Sequence, residues 1–247
     1  MKQRFNGLTR LLIGIAIGVT LGTLPTTVTT QDHGHGDHDG EPRPELTRES
    51  SVPLNVGAGS DIGLVFQAFP SPQQEGGEEE DTPRFIPDAF RSTTPSIPRE
   101  ERTSRGHAVL EFTNDLSRAY LHVQIENVDV DEINMFHLHC GRPGQLGPIL
   151  VDFGMMGDLQ DYFADGMLSI EITNADLEWV IDNSQGLVGA FTGGCPIHPS
   201  IPTERITTIG GMAYVAGQGE LYFNLHTTGQ TYFGDIRGAF FPVDTSQ

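Results

Sequence analysis

Asn134-Met135-Phe136-His137-Leu138-His139-Cys140-Gly141-Arg142-Pro143-Gly144-Gln145-Leu146-Gly147-Pro148-Ile149 is the stretch from which the fold of this chain is read. As a strand it alternates: Phe136, Leu138 and Cys140 point one way, and Met135, His137 and His139 the other. Gly141-Arg142-Pro143-Gly144 then reads as the turn that ends it. Two imidazoles stand side by side on one face, about 7 Å apart at Cβ for a rise of about 3.3 Å per residue. Both rings can bend onto one ion, because neutral imidazole is a favoured ligand of zinc and copper.

A second stretch repeats the pattern. In Leu221-Tyr222-Phe223-Asn224-Leu225-His226-Thr227 the residues Leu221, Phe223 and Leu225 form an apolar face and leave Tyr222, Asn224 and His226 on the other. His226 is therefore the candidate third ligand, on the face opposite the apolar one. Working outward, Gly106 to Phe112 and Leu121 to Glu126 alternate on either side of a polar turn and predict a hairpin. His107 and His122 fall on its wet faces and read as surface residues. Further strands are predicted over Ile62 to Ala68, Pro148 to Phe153, Met167 to Ile172 and Gly234 to Phe241. Asn174 suits a helix N-cap before Leu177, Val180 and Ile181. Ile209, Met212, Ala213 and Ala216 recur at helical spacing, with Gly217 or Gly219 to end the helix.

The motifs Phe136-His137-Leu138-His139-Cys140-Gly141 with Gly147-Pro148-Ile149-Leu150, and Tyr222-Phe223-Asn224-Leu225-His226-Thr227 with Gly234-Asp235-Ile236-Arg237-Gly238, resemble the CHRD domain, the module first named from chordin. The resemblance runs from about Ile62 to Val243. It departs from the family pattern at its start, where a Glu-Val-Pro-Pro-like segment is replaced by a long Pro-rich, acidic insertion. It implies a non-enzymatic binding or structural module of an extracellular protein. A weaker similarity, to copper/zinc superoxide dismutases, places His137, His139 and His226 at copper-ligand positions. Nothing here matches their bridging histidine or zinc loop, so the likeness implies a mononuclear site.

Composition bounds the rest. Of 247 residues, 30 are Gly and 16 Pro, which suits short strands and turns. The fold class expected is all-β: a Greek-key β-sandwich of seven to eight strands with two short connecting helices. A net charge of −19 argues against nucleic acid and anionic membrane surfaces as partners. Lys2, Arg4 and Arg10 precede an apolar run from Leu11 to Leu24, shorter than the ~20 residues of a spanning helix. Residues 1–30 thus read as a secretory leader or N-terminal anchor, and the chain as exported: secreted, periplasmic or at the cell surface. Residues 31–60 read as a flexible tether, with His33, His35 and His38 set among Gly and Asp. The single β domain is expected over 61–245.

Within that domain, the acidic run Glu78-Glu79-Glu80-Asp81 and the prolines of 69–102 predict a long surface loop outside any sheet, either a calcium or partner contact or a plainly disordered segment. Cys140 and Cys195 are the two cysteines, and export favours a disulfide between them over two buried thiols. The bridge would bring His198, in the Gly- and Pro-rich loop after Gly193, close as a second-choice ligand. Arg237, between glycines in a strand, calls for a carboxylate partner, with Asp235 and Asp152 as candidates. Two readings of function follow: a non-enzymatic binding or structural module for an extracellular protein, polysaccharide or metal ion; or a mononuclear copper or zinc protein acting as carrier or dismutase.

Overall fold

The alternating stretches fold as strands, and strands with one apolar face bury it against a second sheet. In the computed structural model, which describes residues 52–184, 192–198 and 201–243, that is the arrangement found. The expected leader and most of the tether lie outside the described residues.

One sheet is built from β1 (Ile62–Ala68), β2 (Arg105–Thr113), β3 (Ala119–Glu126), β6 (Met167–Ile172) and β11 (Phe241–Pro242), in the order β11-β1-β2-β3-β6. The other holds β4 (Ile133–Cys140), β5 (Ile149–Asp152), β9 (Leu221–Thr227) and β10 (Ile236–Ala239), in the order β10-β9-β4-β5. Neighbours within both sheets run antiparallel. The pairs β3–β6, β4–β9 and β1–β11 are distant in sequence, and the chain changes sheet between β3 and β4, β5 and β6, and β10 and β11. These crossovers make the all-β sandwich.

Between the sheets the inward faces interlock. Phe66, Leu110, Phe112 and Leu121 come from one sheet, and Phe136, Leu138, Phe223 and Leu225 from the other; all are buried. Phe136 is central, with ring centroids 4.4 Å from Phe153 and 4.8 Å from Phe223. Truncating such a ring costs about 3–5 kcal/mol.

Among the described residues three α-helices accompany the strands: a single turn α1 (Leu159–Tyr162), α2 (Asn174–Asn183) and α3 (Ile209–Gly217). The N-cap of α2 is Thr173 rather than Asn174. Its backbone N–H and hydroxyl both donate to Asp176, while the Asn174 side chain accepts from the Ile209 N–H. Asn174 thus joins the starts of two helices. Among the described residues the two sheets hold nine strands, and the segment after Gly193 adds a hairpin of β7 (Pro196–His198) and β8 (Ile201–Arg205). The domain also begins earlier than 61. A 3-10 turn over Val56–Ser60 docks through the Asp115 N–H on the Gly59 carbonyl and the Asn114 amide on that of Ala58.

The largest departure concerns 69–102. Far from lacking order, this insertion lies on the outer face of the β10-β9-β4-β5 sheet. Ser71 pairs with Arg237, the Thr93 N–H donates to the Thr228 carbonyl, and Arg91 reaches back to the Ile86 carbonyl. Glu78 is the reason it is held. Its carboxylate accepts from the backbone N–H groups of Thr231, Tyr232 and Phe233 and from the Ser92 hydroxyl. A carboxylate in an acidic run can be solvated, but here it accepts from successive amides of the β9–β10 turn. With this cover in place, every residue of β9 is buried on both faces.

Candidate metal centre

The three histidines meet on that covered face because of register. Across the β4–β9 pair, Met135 faces His226, His137 faces Asn224, and His139 faces Tyr222. Directly opposed residues of an antiparallel pair share a face, so both strands present their imidazoles on the same side. His137 and His139 have ring centroids 5.2 Å apart, and His137 and His226 5.4 Å. One nitrogen from each lies within 4.8 Å of the others. An ion held by bonds of about 2 Å would draw these nitrogens closer together.

Each ring is oriented through its other nitrogen. His139 Nδ1 donates to the Gly147 carbonyl at 2.9 Å, and His226 Nδ1 to the Thr231 carbonyl at 3.0 Å. A carbonyl only accepts, so in both neutral rings Nδ1 carries the proton and Nε2 keeps its lone pair. His137 is turned the other way, with Nε2 3.6 Å from Asp152 Oδ1 on the adjoining strand. This leaves His137 Nδ1, His139 Nε2 and His226 Nε2 buried with no hydrogen-bond partner among the described residues. Three orphaned lone pairs in one place are costly unless something binds them, and a divalent ion is what they fit.

Electrostatics agrees. Burial holds the His139 pKa down to about 3 and that of His226 to about 4. His137 is lowered well below the usual histidine range, by burial first and then by His139 and His226. All three rings are therefore neutral and ready to ligate at neutral pH.

Two supports hold the carbonyls that orient the rings. The turn between β4 and β5 is gripped by Arg237, whose Nη2 donates to the carbonyls of Arg142 and Gln145 at 3.1 and 2.6 Å. Arg237 also lies 3.6 Å over the Tyr222 ring, and the Tyr222 hydroxyl accepts from the Gly147 N–H. Position 147 admits only glycine, since a Cβ there would run into the Cys140 carbonyl. On the other side, Glu78 fixes the turn that carries Thr231. Neither support was visible in the sequence, because Glu78 and Arg237 act through backbone groups distant in the chain.

The remaining candidates fall as follows. Cys140 and Cys195 stand at disulfide distance, with Cα atoms 6.0 Å apart, and tie the end of β4 to the segment before β7. The ion pair expected of Arg237 with Asp235 or Asp152 is not formed: Arg237 spends its donors on carbonyls, Asp235 pairs with Arg102 at 3.4 Å, and Asp152 faces His137. Carbonyls of the β4–β5 turn and the Tyr222 face take up the guanidinium, whose charge also acts on the buried Glu75. His198 ends β7, and its side chain lies outside the described residues. His107 and His122 are exposed, as expected.

Fold and site together define an antiparallel β-sandwich with a buried three-histidine cluster on the outer face of one sheet. The family model of the CHRD domain matches residues 90–240, a span that contains all three histidines, both cysteines and Arg237. The chain belongs to the CHRD domain family. Comparison with curated proteins and with solved structures gives no match.

Proposed function

We propose that this chain is an exported CHRD module that binds one copper or zinc ion on His137 Nδ1, His139 Nε2 and His226 Nε2, and acts as a non-enzymatic binding protein. The observation that carries the reading is the set of three buried, unpartnered imidazole nitrogens, each opposite a nitrogen already engaged or faced by an acceptor. Ligating histidines typically donate their second N–H to a carbonyl or carboxylate in this way. An all-nitrogen donor set favours copper over zinc by the usual divalent order. When bound, the ion offers a coordination position to a fourth ligand. The chain's own part is to keep the rings neutral, orient them and shield them from water.

Export rests on the basic, apolar leader over 1–30, on the cysteine pair and on the family. Among the described residues no helix is long and apolar enough to cross a membrane. Residues 31–60 would tether the domain, and their histidines would gather metal loosely. The test is metal analysis of untagged protein: wild type, His139→Ala, and a variant lacking His33, His35 and His38. One equivalent in wild type and in the tether variant, lost in His139→Ala, supports the reading; no metal in any form leaves only the structural module.

A further inference from the structure

Beside the histidine cluster lies a cavity of about 200 Å³, with all three imidazoles in its wall. Its other lining is uncharged. Phe90 comes from the insertion, Leu146 from the β4–β5 turn, Tyr232 from the β9–β10 turn and Met135 from β4. Among the described residues that line it there is no Lys, Arg, Asp or Glu. A cavity of about 150 Å³ with apolar walls is enough to hold benzene.

From these features, and resting on the metal reading above, we infer that the cavity is a subsite for a small molecule with an apolar body of about one ring, bearing a single nitrogen or oxygen donor directed at the ion. Phe90, Leu146, Met135 and Tyr232 select its apolar body. The three histidines and their ion select its donor atom. The insertion's second role is then to wall this subsite, with the partly exposed Phe90 at its edge.

Pyridine is a suitable probe, being uncharged at neutral pH. The full chain, with His33, His35 and His38 replaced by Gln, is titrated with pyridine with and without one equivalent of zinc. Binding is read from the NMR signal of the Met135 methyl, assigned with Met135→Leu, and zinc content is measured on the same samples. The expected result is a saturable shift with an apparent Kd at least tenfold lower in the zinc form. In Leu146→Asp, a change at an exposed turn, that affinity falls at least tenfold with zinc content unchanged. A methyl signal that does not move in zinc-loaded protein overturns the inference. So does equal affinity with and without zinc at full zinc content, or equal affinity in Leu146→Asp. Zinc that fails to bind at all overturns the metal reading itself, and the inference with it.

Discussion

The ring of Tyr222 lies flat on the imidazole of His139, with centroids 4.9 Å apart and planes 4° from parallel. Arg237 covers the opposite face of the same tyrosine. Guanidinium, phenol and imidazole form one stack whose outer member also clamps the turn carrying Gly147. Arg237→Gln removes two hydrogen bonds from a charged donor and the cation–π contact, and should destabilise the protein by about 3 kcal/mol. Urea denaturation measures it. Arg237→Lys should recover little, since an ammonium lacks the planar fork that reaches both carbonyls while lying on the ring.

Glu78 offers a more selective test. It touches no histidine, yet it fixes the Thr231 N–H while the Thr231 carbonyl holds His226. Glu78→Gln should lower metal affinity by about tenfold, as loss of a supporting contact typically does. Competition against a chromophoric chelator reads the change, and circular dichroism should show the fold retained.

The metal-free protein should weaken in acid. In the unfolded chain a histidine takes up a proton near pH 6.5, whereas folded His139 and His226 resist protonation until about 3 and about 4. The unfolded state therefore binds more protons below pH 6.5, so the stability present above that pH is lost as pH falls toward the folded values. By pH 5 each ring accounts for about 2 kcal/mol. Glu75, buried and raised well above the carboxylate range by desolvation, pulls in the opposite direction. The urea midpoint followed from pH 7.5 to 5 should fall, and His139→Asn with His226→Asn should flatten the slope.

The disulfide closes 55 residues between β4 and the segment before β7. Loop entropy gives it about 4 kcal/mol, so Cys140→Ser with Cys195→Ser should lower Tm by roughly 10 °C for a domain of this size. Calorimetry under oxidising conditions checks this.

Much of the site could be read from the sequence because strand periodicity is local. Alternation in 134–140 and 221–227 placed three imidazoles on faces opposite the apolar ones, and the pairing of β4 with β9 then made those faces one. What periodicity cannot convey is what covers a face. The insertion over 69–102 has the composition of a solvated segment, yet one carboxylate, Glu78, finds three backbone amides and holds it down. The same blindness misassigned Arg237, whose charge suggested a carboxylate when carbonyls from a distant turn were the partners. Cysteine pairing was legible because few alternatives existed for two residues.

The central claim is that one ion is held by three particular nitrogens. Long-range ¹H–¹⁵N correlation spectra of histidine-labelled protein, recorded through a zinc titration, report each ring nitrogen separately. The structure predicts that His137 Nδ1, His139 Nε2 and His226 Nε2 shift together and are complete at one equivalent, with His139 and His226 keeping the proton on Nδ1. Three rings that do not respond, or that respond at different equivalents, would contradict it.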